Sequence, residues 1–457
     1  MDRTFTLLTG ATGLLGQFLM RDGLLQGLNL AVLARPTNGA SAAERIEVCC
    51  QRLERGLARQ LPRPQLIEGD LRQPDLGLDE QAREWLKNHC CRVLHSAATV
   101  KFRADGSGEP YLTNVDATAR LLELSRGCDL DEFHLISTAY VCGATVPNLE
   151  PRPVPLHQVF NNDYERSKAL AESLVAQAEF LRRFTIYRPS IIVGESSTGY
   201  TPNFQGAYPL LLLTWLNSAS SSRSLLETVG VEDPEDGINL VPVDWVSQVV
   251  IALLGQERSA QQYYHLTNPH PTSFQALYDA VRACRSEDDQ PPSVQSLDGP
   301  AAVSTYRPYL SNHPTFDCQL TLEHSGVPCP RLDGEALKRL VGFALEHRFQ
   351  AAPEWDLARR LSRIPLASNS EPRLFLTVPG PEGGQWGFAE TGRTPLTRVE
   401  CAPEAFCSLP TLAHLAGRQL TPEQALYAGE LVLVGDSERL DEALKMLMHV
   451  VDLLGAA

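Results

Sequence analysis

The chain has 457 residues, 43% hydrophobic and 21% charged, a globular composition in a chain too long for one compact core, so two domains are expected. A formal charge of -15 excludes the basic surface that nucleic acid requires. Eleven cysteines, with adjacent pairs at Cys49–Cys50 and Cys90–Cys91, fit neither zinc-ligand spacing nor a disulfide framework and predict reduced thiols and no metal.

The start, MDRTFTLLTG, carries no charged region followed by a cleavable apolar run; with reduced thiols this predicts a cytoplasmic location. TFTLLTGATGLLG then reads as strand, tight turn and helix, with Gly10, Gly13 and Gly16 in the turn. Such glycines let backbone N–H groups at a helix N-terminus approach a pyrophosphate. Apolar runs recur at βαβ spacing in NLAVLA, QLIEGD, RVLHSAA, FHLISTA, FTIYRPS and YYHLTN. The helices between them include SAAERIEVCCQRLERGL, which opens on a Ser41-to-Glu44 capping box. Alternation of this kind predicts an α/β fold, a Rossmann-type doubly wound parallel sheet. Residues 195–236 and 285–333 break the pattern and are expected to be substrate-binding insertions. The longest apolar run, AYPLLLLTWL at 207–216, is half a membrane span and admits peripheral contact with a membrane surface.

Near residue 350 the character changes. PEWDLARRLSRIPLASNSEP predicts a helix and loop, and from Arg373 the chain reads as strand and hairpin. A Leu-rich helix, a Thr421–Pro422–Gln424 N-cap signature and an amphipathic helix over 438–454 follow. Leu440, Ala443, Leu444, Leu447, Val451 and Leu454 form its apolar stripe. The division expected is 1–350 and 351–457, the second part a small α+β domain.

Within NNDYERSKALAESLVAQAEFL, Tyr164 and Lys168 stand four apart, on one face of a helix. A phenol is a poor proton-transfer group at neutral pH, and a nearby ammonium lowers its pKa. The strand FHLIS ends at Thr138, whose hydroxyl can enter the same cleft beyond the strand ends. Where NAD-binding sheets usually carry an acid after the second strand, NLAVLARP offers Arg35, whose guanidinium favours a 2′-phosphate and hence NADPH.

TGATGLLG at 9–16, GDL at 69–71, HSAA at 95–98, Asn114 in NVDAT, STAYVCG at 137–143, YERSK and YRPSIIVG at 187–194 occur in the order of the extended short-chain dehydrogenase/reductases. The first 350 residues therefore resemble that family. The resemblance implies catalysis by Thr138, Tyr164 and Lys168. It places the cofactor against Thr9, Gly10, Thr12, Gly13, Leu14, Leu15, Gly16, Arg35, Asp70, Leu71, Ser96, Ala97, Ala98, Asn114, Tyr164, Lys168, Arg188, Pro189, Ser190 and Ile191. LARPTNGASAAERI, STAYV, RPSIIVGESSTG, LVPVDWV and YRPYLSNHPTFD are similar to the branch containing fatty acyl-CoA reductases and terminal thioester reductase domains. That implies NADPH-dependent reduction of a hydrophobic acyl thioester, CoA-bound or brought by an acyl carrier protein in trans, to aldehyde and then alcohol. Epimerases and hydroxysteroid dehydrogenases share the triad, so oxidation of a sterol or sugar-nucleotide alcohol is the first alternative. GPEGGQWGF and LAHLAGRQLTPEQALYAGELVLVGD resemble the sterol-carrier-protein-2-like fold over 373–454, which implies lipid binding. A non-catalytic lipid-transfer protein is the second alternative.

Overall fold

The computed structural model describes residues 3–456 except 38–39, 58, 145–148, 218–232, 257–259, 286–307, 310–313, 348, 350–359, 362–363, 368–371, 379–383, 390, 395–401, 408, 417, 419, 429 and 435–439. Much of both expected insertions, the helix expected after residue 353 and the tip of the GPEGG hairpin lie outside the described residues. The chain divides into two compact units, Met1–Arg35 with Cys49–Phe349, and Pro36–Val48 with Gln350–Ala457.

The first unit alternates as the apolar runs require: β1 (Phe5–Thr9), α1 (Leu14–Leu25), β2 (Asn29–Ala34), α2 (Ala42–Leu57), β3 (Gln65–Glu68), α3 (Glu80–His89), β4 (Cys90–His95), α4 (Ala117–Gly127), β5 (Glu132–Ile136), α5 (Asp163–Ala176) and β6 (Arg183–Pro189). A second segment adds β7 (Ile191–Val193), α6 (Tyr208–Asn217), β8 (Gly237–Ile238), β9 (Leu240–Pro242), α7 (Val243–Leu254), β10 (Gln261–Leu266), β11 (Thr272–Ser273), α8 (Phe274–Cys284), α9 (Gln319–Ser325) and α10 (Gly334–Glu346). Seven strands form one sheet in the order β10-β6-β5-β4-β1-β2-β3, every pairing parallel. Helices cover both faces of such a sheet, so its strands are continuous apolar runs, and β5 is buried at every residue. The chain moves from β1 out to β3 and returns to the other side of β1 as β4. The sheet's direction of winding therefore reverses between β1 and β4, where the loops after the two strands diverge and leave a crevice.

The 207–216 run becomes α6, and none of its ten residues is exposed. Tyr208, Leu210, Leu211 and Trp215 pack with Phe274, Leu277, Leu337 and Leu340 of α8 and α10 in a core of their own. The run is spent largely on packing within this unit. Among the described residues no helix is long and apolar enough to cross one.

The second unit holds β12 (Leu374–Val378), β13 (Gly384–Ala389), β14 (Gly392–Thr394), β15 (Glu404–Cys407), α11 (Leu409–Ala416), α12 (Pro422–Tyr427), β16 (Leu431–Val434) and α13 (Leu440–Ala456). Its mixed sheet runs β14-β13-β12-β15-β16, with only the β12–β15 pair parallel. Ala443, Leu447, Val451 and Leu454 of α13 are buried against Leu374, Leu376 and Phe388. Thr421 and Gln424 close the capping box at the start of α12. Residues 36–48, assigned from sequence to the larger domain, cluster with this unit and include the first part of α2, up to Val48: Ala40 joins its core, and Glu44 Oε1 lies 3.4 Å from Arg360 Nε, both side chains buried.

Candidate active site

The turn after β1 folds tightly because three glycines allow it. Gly10 has φ of 75°, a left-handed conformation, and a Cβ there would lie 2.6 Å from Ala97 N. A Cβ on Gly16 would lie 1.9 Å from Gly10 O, so the first turn of α1 presses directly on the loop. The loop is also tied from below. Ala97 N–H donates to Thr9 Oγ1 at 3.2 Å, and the Thr9 hydroxyl meets His95 Nδ1 at 2.7 Å. Thr118 gives its proton to Asn114 O at 2.7 Å, so it accepts from His95 Nε2–H at 3.1 Å, and that assigns the tautomer. Burial, with a smaller contribution from the Lys168 charge, pushes His95 down to about 3, so this relay stays neutral.

α5 begins where Asn162 Oδ1 accepts from Glu165 N–H at 2.9 Å. The helix then buries Glu165, Ser167, Lys168 and Glu172, which is unusual for so polar a sequence. Each has a partner. Lys168 Nζ donates to Ile136 O at 2.6 Å, and Asn114 Nδ2 donates to Ser167 Oγ at 2.9 Å. Glu165 Oε1 accepts from Tyr309 OH at 2.7 Å.

A cleft of about 360 Å³ opens at the β1/β4 crevice. Gly10, Gly13, Leu14, Leu15, Gly16, Ser96, Ala98, Thr138, Tyr164, Lys168, Pro189, Ser190 and Ile191 line it, so most of the expected site residues come together in one place. Tyr309, Tyr140, Ser137, Phe102, Asn203 and Gln205 also line it and were not expected. Tyr140 lies inside the quoted STAYV stretch and Tyr309 inside YRPYLSNHPTFD, but nothing local marks Tyr309, 145 residues beyond Tyr164, as its neighbour.

Several expected residues lie elsewhere. Arg188 is 1% exposed and holds both oxygens of Glu172 at 3.0 and 2.7 Å, with a third bond to Arg152 O. That ion pair makes it a structural bolt behind the cleft. Asn114 sits in a π-helical turn and bonds both Thr99 backbone groups at 2.9 and 3.0 Å, which clamps the chain after β4 to α5. Thr9 and Ala97 act beneath the glycine loop as described. Thr12 O accepts from Gln17 Nε2, and Leu71 O accepts from Arg120 Nη1. Asp70 binds Arg72 at 2.8 Å and lies 3.9 Å from the half-exposed Arg35, and the Arg72 bond holds its carboxyl below the usual range.

The expected tuning of Tyr164 by Lys168 takes another form. Burial, reinforced by the Glu165 carboxylate, pushes the Tyr164 phenol up, and a hydrogen bond with Thr138 opposes them. Lys168 itself is pushed down by burial to about 8, against the attraction of Glu172.

With this geometry established, the comparisons with known proteins are decisive on family. A NAD-binding family model described as "Male sterility protein" matches residues 8–250, more than half of the chain. The chain belongs to this family. It is 30% identical over 280 residues to the isonitrile lipopeptide synthase of Streptomyces coeruleorubidus, covering 58% of this chain and 18% of that one. It is 29% identical over 284 residues to fatty acyl-CoA reductase 1 of Homo sapiens, covering 54% of this chain and 53% of that one. The solved terminal R domain from the myxalamid PKS-NRPS biosynthetic pathway aligns with a TM-score of 0.60 at 25% identity, over 77% of this chain and 93% of that one. The chain spans about half or less of the length of these curated relatives.

The cleft of this NAD-binding family member fits a dinucleotide on its own geometry. The glycine loop packs closely on the N-terminus of α1, where backbone N–H groups and the helix dipole can receive an anion. Deeper in, the Ser137 and Ser190 hydroxyls line the cleft, 3% and 5% exposed, without a partner among the described residues. Buried hydroxyls left unpaired are costly, and a polar group of a bound ligand would relieve that cost.

Proposed function

We propose that this protein is an NADPH-dependent reductase that converts a hydrophobic acyl thioester, CoA-bound or carrier-bound, to the aldehyde. The observation that carries the reading is the convergence of Thr138, Tyr164 and Lys168 beside the glycine loop in one cleft. The thioester specificity draws on the similarity to fatty acyl-CoA reductase 1 and to the terminal R domain.

Gly10, Gly13 and Gly16 would hold the dinucleotide pyrophosphate, Ser190 and Ser137 the nicotinamide end, and Arg35 a 2′-phosphate. When bound, the cofactor supplies a hydride to the thioester carbonyl carbon. Thr138 and Tyr164 donate hydrogen bonds to the carbonyl oxygen as negative charge grows there, a role that fixed donors in a dry cleft perform well. Tyr164 then gives its proton to that oxygen, and Lys168 stabilises the phenolate that remains. Collapse of the hemithioacetal breaks the C–S bond and releases aldehyde and free thiol. A second reduction of the aldehyde in the same cleft gives the alcohol.

Val100, Phe102, Ile191 and Ile192 line the cleft and suit an apolar chain. The C-terminal unit enters this reading as a sterol-carrier-like domain that favours long chains, on its sequence resemblance. The direct test is mass spectrometry of the products formed from NADPH and a panel of acyl thioesters, with hydroxysteroids and sugar nucleotides alongside. Tyr164→Phe keeps the ring's packing and removes the proton, so turnover should fall by about 10² or more. Near-normal turnover by that variant, or turnover of the alcohols alone, refutes the reading.

A further inference from the structure

A second recess, of about 640 Å³, adjoins the reaction cleft. Phe102 lines both, and its ring packs edge-on against the Tyr164 ring at 6.2 Å and tilted against Tyr309 at 5.9 Å. The recess is polar where the cleft is apolar. Arg103, Arg166 and His157 line it together with the amides of Gln158 and Asn161. The one carboxylate among its described lining residues, Asp163, is already spent: Oδ2 accepts from Ala104 N–H at 2.8 Å and Oδ1 from Tyr111 OH at 2.8 Å.

Both arginines are exposed, and the backbone that carries them is anchored. Asp163 N–H donates to Phe102 O at 3.0 Å, so the residues on both sides of Arg103 are tied to the first residue of α5. Arg166 stands three residues beyond Asp163, one helical turn along the same face. Neither guanidinium is in an ion pair among the described residues, and Arg166 makes a hydrogen bond to the Tyr111 hydroxyl. Two such forks without a counter-ion, on a chain of net charge -15, make a local binding site for an anion. The dinucleotide's own phosphates belong to the glycine loop at the β1/β4 crevice, so this anion is the substrate's.

We propose that the recess binds the phosphate of a phosphopantetheine thioester, with Arg103 and Arg166 as its ligands. The thioester end then passes Phe102 to reach Thr138 and Tyr164. The proposal rests on the thioester reading above. CoA and a carrier protein present the same phosphopantetheine phosphate, and the recess recognises that shared group.

The test compares one acyl group on four thiols: CoA, 4′-phosphopantetheine, a carrier protein, and N-acetylcysteamine, which lacks phosphate. In the Arg103→Ala/Arg166→Ala double variant, KM for the phosphate-bearing thioesters should rise tenfold or more, while kcat and KM for the N-acetylcysteamine thioester stay within twofold. The CoA or carrier arm with the lower KM in the unmodified enzyme identifies the source. An unchanged KM for every phosphate-bearing thioester, or an equal rise for all four substrates, overturns the proposal. If the unmodified protein reduces no thioester at all, the thioester reading fails instead. Calorimetric titration with 4′-phosphopantetheine then tests the recess alone: binding lost in the double variant supports it, and no binding to either protein overturns it.

Discussion

Lys168 should cost the protein stability at the pH where it serves the proposed reaction, and Lys168→Met measures that cost. The side chain is 2% exposed, and burial holds its ammonium at about 8, down from 10.5. That fall corresponds to about 3 kcal/mol of differential interaction. Below pH 8 the lysine is charged in both folded and unfolded states, and the whole burial cost is present. Between pH 8 and 10.5 the unfolded chain keeps the proton and the folded chain releases it, so the stability of the unmodified protein rises with pH. Met fills a similar volume without the charge, but leaves Ile136 O without the bond from Nζ, a loss of about 1–3 kcal/mol at every pH. The variant should therefore be as stable as the unmodified protein or slightly more stable at pH 7, and less stable at pH 10. The difference between the two proteins should change by about 2–3 kcal/mol across that range, whatever the carbonyl costs. Urea denaturation of both at the two pH values reads it directly. A stability difference that does not move with pH would show that Lys168 is not held as a buried, depressed ammonium. Turnover by the variant should meanwhile fall by about 10² or more.

Gly16→Ala places a Cβ 1.9 Å from Gly10 O, so it should lower stability by at least about 1–3 kcal/mol and weaken dinucleotide binding in a fluorescence titration; wild-type affinity would contradict the packing. Glu172→Ala strands the Arg188 guanidinium, 1% exposed, and should destabilise by about 3–5 kcal/mol in the same denaturation assay, with a neutral effect counting against the bolt. Arg35→Ala should raise the Kd for NADPH by about tenfold, the scale of one lost charge-assisted contact, and leave that for NADH unchanged; equal use of both cofactors by the unmodified enzyme rules the assignment out.

The sheet was legible because the parallel strands are apolar runs and several helices carry their own start signal, as at Ser41, whose hydroxyl accepts from Glu44 N–H at 3.2 Å. The cleft was legible for a related reason. Gly10, Thr138 and Tyr164 follow strand ends or open helices, and topology alone carries such residues to the crevice. What stayed hidden depends on long-range contact. Glu165 and Glu172 read as solvated charges on a polar helix, yet they lie seven residues apart, on one face, and that face is buried with Lys168. Arg188 stands near the end of an apolar strand and looks like a cofactor ligand until Glu172 is seen 2.7 Å away. Residues 36–48 follow β2 in sequence, and nothing local discloses that they cluster with residues 350–457.

The direction of the Tyr164 shift bears on which way the proposed chemistry runs. An enzyme that oxidises an alcohol needs a base, and its tyrosine must reach phenolate before the substrate loses its proton. Reduction of a thioester needs an acid, and there the same residue must start protonated. Burial and the Glu165 carboxylate both favour the neutral phenol, so Tyr164 enters the cycle as a donor. A phenol pushed too far up would be a weak acid toward the new alkoxide, and two groups oppose that. The hydrogen bond between Thr138 and Tyr164 favours phenolate. Lys168, pushed down only to about 8, is still largely charged at neutral pH and lies one helical turn along the same face, where its ammonium becomes most valuable after the proton has left. The raised phenol and the depressed ammonium are thus two consequences of one act of burial: Tyr164 rests protonated, as a donor must, and the charge on Lys168 offsets part of the cost of releasing that proton.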